Sequence, residues 1–319
     1  MADLVTLAEI EDAAEQLRGI AVRTPLVRYP AVEPTLLIKP ESLQPTGAFK
    51  LRGAYNAIAA LPEDDRARGV ITHSSGNHAQ AVAYAARALY APAVVVMPRT
   101  APMVKVDACR GLGAEIVFVE PTMEARLTTA ERLAAAHGYA LIPPYDHAKV
   151  IAGQGTVGLE IVADAPEVDV VLVPVGGGGL ISGVATALKS LRPAVTVIGV
   201  EPELAADARE SLSAGRPVEW PAAQTARTSA DALRVQQVGN LPFAHLVEYV
   251  DGIITVTEDE IRTAMRRLAL TTRLVAEPAG AVATAAYLFH RTGLPAGRTY
   301  VAVLSGGNVD PGLLVDSLG

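Results

Sequence analysis

One lysine of this 319-residue chain stands in a setting suited to covalent chemistry. Lys50 follows Phe49 within the stretch 42–54, and it is one of only five lysines among 27 lysine and arginine residues. A lysine amine can lose its proton and form a Schiff base with a carbonyl group, whereas a guanidinium cannot. Lys50 is therefore a candidate nucleophile. The alternative is an ordinary solvated lysine before a helix.

A run of four glycines supplies a candidate phosphate site. Gly176, Gly177, Gly178 and Gly179 follow an apolar strand and open a helix. Successive glycines expose backbone N–H groups, and the start of a helix adds a positive dipole end, so together they suit an anion. The run matches neither G-x-G-x-x-G nor G-x-x-x-x-G-K-[ST], the two nucleotide patterns. A reactive lysine together with a phosphate site of another kind indicates pyridoxal phosphate as the cofactor.

Four motifs resemble, in order along the chain, those of the fold-type II pyridoxal-phosphate enzymes, and especially the serine/threonine dehydratase and serine racemase group. They are the segments 42–54, 74–78 (Ser-Ser-Gly-Asn-His), 176–179 and 305–308 (Ser-Gly-Gly-Asn). The resemblance implies that Lys50 forms the Schiff base and then acts as the base at the substrate Cα, with Phe49 near the cofactor. It also implies that Asn77 hydrogen-bonds the ring oxygen of the cofactor and that the four glycines hold its phosphate.

The resemblance places Ser305 opposite the ring nitrogen of the cofactor. A carboxylate there would keep that nitrogen protonated and strengthen the electron sink, whereas a neutral hydroxyl does not. Expulsion of a β-hydroxyl group then becomes the easier exit, which favours β-elimination. Without the resemblance, Ser305 is equally well explained as a turn residue after a strand.

The second motif is a candidate site for the substrate carboxylate, because it joins a strand end to the start of a helix. The predicted substrate-binding residues are Ser74, Ser75, Gly76, Asn77, His78 and Arg126.

Two of these residues leave the reaction open. In serine racemases a serine at the place of Ser75 reprotonates Cα on the face opposite the lysine, and an arginine falls near the place of Arg126. Against racemisation, Tyr145 and Asp146 resemble an aromatic–Asp pair common in dehydratases. The Ser-Ser-Gly-Asn-His loop also occurs in hydroxyaspartate dehydratases. Arg126 is otherwise an ordinary helix-surface residue.

The segment 201–207 is a candidate site for a divalent cation. In the racemase-like branch of the family, two acids at this spacing and a carbonyl oxygen between them bind Mg²⁺, Mn²⁺ or Ca²⁺. Glu201, the Ala205 carbonyl and Asp207 match them, and oxygen ligands suit a hard cation. The alternative is that Glu201 and Asp207 are ordinary surface acids that bind no cation. Asp231, Ala232 and Glu277 match further segments that lie near the active site in the family.

Composition excludes several classes of function. The net charge is −7, and the chain has no basic run of the kind that binds nucleic acid. It has one cysteine, Cys109, which precludes an intrachain disulfide. No apolar run reaches membrane-spanning length, and the first residues lack the pattern of a signal peptide. We therefore expect a cytoplasmic protein that binds neither membrane nor nucleic acid.

Apolar strands alternate with alanine-rich helices, which predicts an α/β fold with parallel sheets. The predicted strands are 69–73, 93–97, 114–120, 168–175, 195–200, 253–256 and 298–304. The predicted helices are 77–89, 101–111, 122–137, 180–191, a helix from a capping box at 257–260, and 279–292. With the resemblance, the pattern predicts two open, twisted parallel-sheet domains, as in the β subunit of tryptophan synthase, with the active site in the cleft between them. The large domain comprises 1–68 and 147–319, and the small domain 69–146.

The predicted activity is the β-elimination of water from a β-hydroxy amino acid, such as L-serine or L-threonine, to give a 2-oxo acid and ammonia. The alternatives are an amino-acid racemase with Lys50 and Ser75 as its two bases, and a 3-hydroxyaspartate dehydratase. A nucleotide-binding oxidoreductase and an inert cofactor-binding protein are the rivals from other classes. The resemblance also implies a homodimer.

Overall fold

Ten strands form two separate sheets in the computed structural model, which describes residues 3–319. The strands are β1 (Val27–Tyr29), β2 (Thr35–Pro40), β3 (Val70–His73), β4 (Ala93–Pro98), β5 (Glu115–Val119), β6 (Ala140–Leu141), β7 (Val170–Pro174), β8 (Thr196–Pro202), β9 (Gly252–Val256) and β10 (Thr299–Leu304). The larger sheet has the order β1-β2-β10-β7-β8-β9, and the smaller one β5-β4-β3-β6. All strand pairs are parallel except β1 with β2, which is antiparallel.

Helices cover both sheets of the described chain. They are α1 (Leu7–Gln16), α2 (Lys50–Ala59), α3 (Glu63–Arg68), α4 (Asn77–Ala88), α5 (Met103–Gly111), α6 (Met123–His137), α7 (Ala148–Asp164), α8 (Gly179–Leu191), α9 (Asp207–Ala214), α10 (Ala222–Thr225), α11 (Asn240–Tyr249), α12 (Glu258–Arg267), α13 (Pro278–His290) and α14 (Pro311–Leu318). Every residue of β7 and β10 is buried, as expected for parallel strands covered on both faces.

Local signals in the sequence set several helix ends. The capping box predicted at Thr257 is present, because its side chain accepts the backbone N–H of Glu260 and the Glu260 carboxylate accepts that of Thr257. Thr6 and Glu9 form the same motif at the start of α1. Each box satisfies backbone donors that a helix start leaves without a partner.

The predicted fold class is confirmed: two parallel-rich sheets lie in one α/β chain. The strands of the smaller sheet lie between residues 70 and 141, inside the predicted small domain. The domain limits themselves stay a prediction, because α2 packs against both α4 and α7. None of the helices in residues 3–319 has both the length and the apolarity needed to cross a bilayer.

Candidate active site

A cavity lies where the strand ends of the larger sheet face the start of α4. Its walls combine backbone N–H groups, one amine, one carboxyl group and two aromatic rings. The lining residues are Phe49, Lys50, Asn77, Tyr145, Pro174, Gly176, Gly177, Gly178, Gly179, Leu180, Ala232, Leu233, Glu277 and Ser305. The cavity thus brings together all the predicted cofactor-binding residues.

Lys50 is the first residue of α2 and is partly buried. Its Nζ donates to the carbonyl oxygen of Pro144 at 2.6 Å and lies 5.0 Å from the centre of the Phe49 ring. Burial disfavours the charged ammonium and lowers the pKa of Lys50 to about 8. A substantial fraction of this amine is therefore neutral in weakly alkaline solution, as a nucleophile or base requires.

Gly176, Gly177 and Gly178 form the turn between β7 and α8, Gly179 begins α8, and two of the four tolerate no side chain. Gly178 has a φ of +88°, in the left-handed region that favours glycine. A Cβ on Gly177 would lie 2.3 Å from the ring of Tyr145. The N–H groups of this turn and the start of the 13-residue α8 are suited to an anion.

Asn77 begins α4 and lines the cavity, and two side chains hold its amide. Asn77 Nδ2 donates to Glu277 Oε1 at 2.6 Å, and Asn77 Oδ1 accepts from Asn308 Nδ2 at 2.9 Å. Sequence reasoning placed Glu277 near the site but assigned it no contact, because the two partners are 200 residues apart.

Ser305 follows β10 and is buried at the cavity wall. Its hydroxyl lies 3.4 Å from the carbonyl oxygen of Ala279, and its own carbonyl accepts the backbone N–H of Phe49 at 3.0 Å. The second bond connects the Ser305 turn directly to the segment that carries Lys50.

The loop between β3 and α4 carries most of the predicted substrate-binding residues. Ser74, Ser75 and Gly76 are partly buried there, and the Gly76 N–H donates to Ser74 Oγ at 3.3 Å. The His78 ring is buried, and its Nε2 lies 2.9 Å from the carbonyl oxygen of Ile142. Burial, aided by the charge of Lys50, lowers the pKa of His78 to about 3, so the ring is neutral. Only the backbone of His78 is therefore available to a substrate carboxylate.

Arg126 lies on α6, beside the end of β3. Burial lowers the pKa of the Arg126 guanidinium. The pKa of His73 is also lowered, by burial and by the positive charge of Arg126. Its Nε lies 3.4 Å from the carbonyl oxygen of Thr122, one helical turn earlier. A partly buried cation with no carboxylate within salt-bridge distance in residues 3–319 suits an anionic ligand.

Residues 144–146, which we call the connecting segment, touch three parts of the site in succession. The Pro144 carbonyl accepts from Lys50, and the Tyr145 ring covers Gly177. The Asp146 carboxylate accepts the N–H groups of Asn240 and Leu241, both at 3.0 Å, and so caps α11. The predicted aromatic–Asp pair is thus built into the cavity wall.

A buried network of four charged side chains anchors the start of α2. Arg52 lies two residues after Lys50, and its Nε donates to Glu41 at 2.8 Å while its Nη1 donates to Glu160 at 2.6 Å. Lys39 Nζ also donates to Glu160 at 2.6 Å, and Thr24 Oγ1 donates to Glu41 at 2.8 Å. The network joins α2, α7 and the end of β2, and so fixes the backbone that presents Lys50.

Glu201 and Asp207 lie together at the end of β8 and the start of α9, and both are fully buried. Glu201 accepts the N–H groups of Ala208 and Arg209, whereas both Asp207 oxygens lack a hydrogen bond of normal geometry in the described chain. Burial raises the pKa of Asp207 to about 7, and burial together with the Asp207 charge raises that of Glu201. Residues 3–319 contain no cluster of three or more His, Cys, Asp or Glu side chains suited to a metal. A cation here would therefore depend on two carboxylates, backbone oxygen and water.

Comparison with known proteins decides the family. The profile described as "Pyridoxal-phosphate dependent enzyme" matches residues 17–306. The chain belongs to this family. The resemblance and the cofactor predicted from the sequence are thus confirmed.

The pyridoxal-phosphate enzyme is similar to proteins of more than one activity. It is 43% identical over 98% of its length to an L-threonine ammonia-lyase of Thermotoga maritima, of which it covers 77%. It is 41% identical over 96% of its length to an L-threo-3-hydroxyaspartate ammonia-lyase of Saccharomyces cerevisiae, of which it covers 94%. The structure of maize serine racemase matches with a TM-score of 0.94 at 36% identity, over 99% of this chain and 97% of the maize chain.

The cavity of the pyridoxal-phosphate enzyme fits its cofactor. The glycine turn offers backbone N–H groups at the start of α8 for the phosphate, and Lys50 offers an amine of lowered pKa. Asn77 offers an amide donor and Ser305 a neutral hydroxyl. Leu180 and Leu233 also line the cavity, but no pattern in the sequence distinguishes them from other core leucines.

Proposed function

We propose that this enzyme eliminates water from a β-hydroxy amino acid, with L-serine and L-threonine as the expected substrates, and releases a 2-oxo acid and ammonia. The observation that carries the proposal is a single cavity in which Lys50 and the neutral Ser305 hydroxyl both face the space beside the phosphate cradle. The similarity to an L-threonine ammonia-lyase supports it.

Pyridoxal phosphate, when bound, supplies an electron sink for the pair of electrons released at the substrate Cα. Lys50 is the only lysine that lines the cavity, and its lowered pKa suits it to take the Cα proton. Ser305 is neutral at all ordinary pH values, so it holds no extra proton on the ring nitrogen. This arrangement favours loss of the β-hydroxyl over a long-lived carbanion.

The loop 74–77 is the proposed site for the substrate carboxylate. It lies at the start of the 12-residue α4, where backbone N–H groups and the helix dipole favour an anion. Binding there would direct Cα toward the wall that carries Lys50.

A substrate panel tests the activity. Purified holoenzyme is incubated with L-serine, L-threonine, both 3-hydroxyaspartate diastereomers and L-alanine, and 2-oxo acid, ammonia and product chirality are measured. The proposal expects a 2-oxo acid and ammonia in equal amounts from at least one hydroxy amino acid and none from L-alanine. Formation of D-serine without pyruvate would overturn it.

Racemisation is the second candidate function, and the position of Ser75 favours it. Ser75 is partly buried and lies two residues before Asn77, which begins α4 and lines the cavity. A hydroxyl there could return a proton to Cα from the side away from Lys50. The similarity to maize serine racemase supports this candidate.

Replacing Ser75 with alanine is expected to separate the two activities. D-serine formation should fall by about 10²-fold or more, the usual contribution of a general acid or base, whereas pyruvate formation should change far less. Ser74→Ala is the matched control in the same loop, and it should lower both products together because it loosens the carboxylate site. Wild-type D-serine formation by Ser75→Ala would exclude Ser75 as the second base.

A 3-hydroxyaspartate substrate is favoured by Arg126. A second carboxylate on the substrate needs a second cation, and Arg126 is a partly buried guanidinium close to the substrate loop. The similarity to the yeast hydroxyaspartate ammonia-lyase supports this substrate. In the panel, Arg126→Gln should then raise KM for 3-hydroxyaspartate more than KM for L-serine.

We further propose that Glu201, the Ala205 carbonyl and Asp207 bind a divalent cation. The support is the pair of fully buried carboxyl groups, of which Asp207 has no side-chain hydrogen bond of normal geometry in the described chain; two ionised carboxylates so placed cost free energy unless a cation is present. Tyr145 lies close enough for the Asp207 charge to raise its pKa, with burial as the larger cause. A cation bound to Asp207 would therefore lie near the Tyr145 ring, which covers Gly177.

Adding Mg²⁺, Mn²⁺ or Ca²⁺ is expected to stabilise the protein. A cation at about 100 times its Kd raises the free energy of unfolding by about 2.7 kcal/mol, so Tm should rise on addition and fall with EDTA. Asp207→Asn should abolish this shift, whereas Glu203→Gln, an exposed acid in the same segment, should retain it. An equal Tm shift in Asp207→Asn and wild type would contradict the site.

Three broader predictions rest on the family resemblance and the sequence. We propose a homodimer, a cytoplasmic location, and domain limits at 1–68 with 147–319 and at 69–146. Light scattering after size-exclusion chromatography tests the dimer, and limited proteolysis tests the domain limits.

A further inference from the structure

The amide of Asn77 has a fixed orientation, and a backbone group determines it. Asn308 Nδ2 donates to the carbonyl oxygen of Thr46 at 2.8 Å, and a backbone carbonyl can only accept. The nitrogen of Asn308 is thereby placed toward Thr46 and Asn77. The Asn77 atom that faces it at 2.9 Å must then be the acceptor Oδ1.

The other end of the same amide meets Glu277. Asn77 Nδ2 lies 2.6 Å from Glu277 Oε1, and an ionised carboxylate can only accept. An amide nitrogen has two hydrogens, and this bond uses one of them. Since Asn77 lines the cavity, its second N–H is left to face the cavity.

Glu277 connects two walls of the site. Its side chain holds Asn77 on α4, and its backbone N–H donates to the Gly306 carbonyl at 3.1 Å, next to Ser305. It is 3% exposed and precedes the first residue of α13. No catalytic step requires a carboxyl group at this point, so its contacts suggest its role.

The surroundings of Glu277 shift its pKa in opposite directions. Burial raises its pKa to about 7, and the charge of Asp231 adds to this effect. The N–H of Asn77 and the charge of Lys105 lower the pKa. The carboxylate form is therefore the one that the Asn77 contact stabilises.

We propose that Glu277 and Asn308 are positioning residues that hold Asn77 as an obligate hydrogen-bond donor toward the bound cofactor ring. The proposal rests on the predicted cofactor role of Asn77. It explains why a carboxyl group is buried in the cavity wall at a distance from the phosphate cradle. A donor fixed in this way favours an anionic acceptor on the cofactor, because it cannot turn its oxygen toward the ring.

The test compares the visible and near-ultraviolet absorption bands of the reconstituted holoenzyme, which report the charge on the cofactor ring oxygen. Asn77→Ala serves as the reference variant. Glu277→Ala and Asn308→Ala should each shift the ratio of the two bands in the same direction, and should weaken cofactor binding roughly tenfold, the loss of about one charge-assisted hydrogen bond. Glu277→Gln keeps an acceptor oxygen and should recover most of the wild-type ratio.

Double variants separate positioning from general stability. Adding Glu277→Ala to Asn77→Ala should not shift the band ratio further, because the group being positioned is already absent. Glu248→Ala, an exposed acid on α11, is the control and should match wild type. Additive shifts, or an unchanged ratio in both single variants while Asn77→Ala shifts it, would overturn the positioning role. An unchanged ratio in Asn77→Ala would instead refute the cofactor role of Asn77.

Discussion

Replacing Lys50 with alanine is expected to reduce kcat by at least about 10³-fold, because one side chain supplies both the covalent attachment and the base at Cα. The phosphate cradle and Asn77 remain, so the variant should still bind pyridoxal phosphate. Borohydride should no longer fix the yellow colour to the protein. Turnover of the best substrate and mass spectrometry of the reduced protein measure the two effects.

Lys149→Ala is the matched control for this prediction. Lys149 is an exposed lysine on α7 that pairs with Glu9 at 3.4 Å. It should keep wild-type turnover and wild-type labelling. If Lys50→Ala retained more than a tenth of the wild-type kcat, the assignment of Lys50 as the base would be wrong.

Replacing Arg52 with methionine is expected to lower the free energy of unfolding by about 3–5 kcal/mol, the usual cost of removing one partner of a buried ion pair. Arg52 is 2% exposed in its side chain and holds Glu41, which is 0% exposed. Lys39 keeps its ion pair with Glu160, whereas Glu41 loses its ion pair and keeps hydrogen bonds from the Thr24 hydroxyl and the Gln44 amide and the more distant charge of Lys39. Urea unfolding at constant pH measures the loss.

A second substitution shows whether the unpaired carboxylate is the cause. Arg52→Met combined with Glu41→Gln should regain a large part of the lost stability, because the buried negative charge is gone. A loss below 1 kcal/mol in the single variant, or no recovery in the double variant, would contradict this account.

The sequence predicts the smaller sheet well, and the reason is local. Three of its four strands, β3, β4 and β5, are short apolar runs, and their bounds and those of α4, α5 and α6 differ from the predicted ones by no more than two residues. The same holds for β7, β10 and the capped start of α12. The two-residue strand β6 was not predicted.

Helix α7 and strand β2 have no recognisable pattern because tertiary contacts determine them. Residues 152–158 contain three glycines, which argue against a helix in isolation. In the fold they let helices approach, since a Cβ on Gly153 would lie 2.6 Å from the carbonyl oxygen of Arg52. In β2, Lys39 is 0% exposed, and a charge in a buried strand is stable only because Glu160 lies across from it.

The residues of the site also fall into those with a local sequence signal and those placed by tertiary contacts. Motifs marked the lysine, the glycine turn, Asn77 and Ser305, since each has a residue type suited to a chemical role within a short stretch of sequence. The partners that hold them did not form a pattern, because Arg52 pairs with a residue 108 positions away and Asn77 with one 200 positions away. Such contacts become visible only when the chain is folded.

The connecting segment 144–146 also links movements of the two sheets to the shape of the cavity. It is the stretch of chain that leaves the smaller sheet after β6 and enters α7, and the same residues form the cavity wall between Lys50 and the glycine turn. A rotation of one sheet relative to the other would therefore move this wall of the cavity. We therefore expect the angle between the two sheets to change when the cavity is filled.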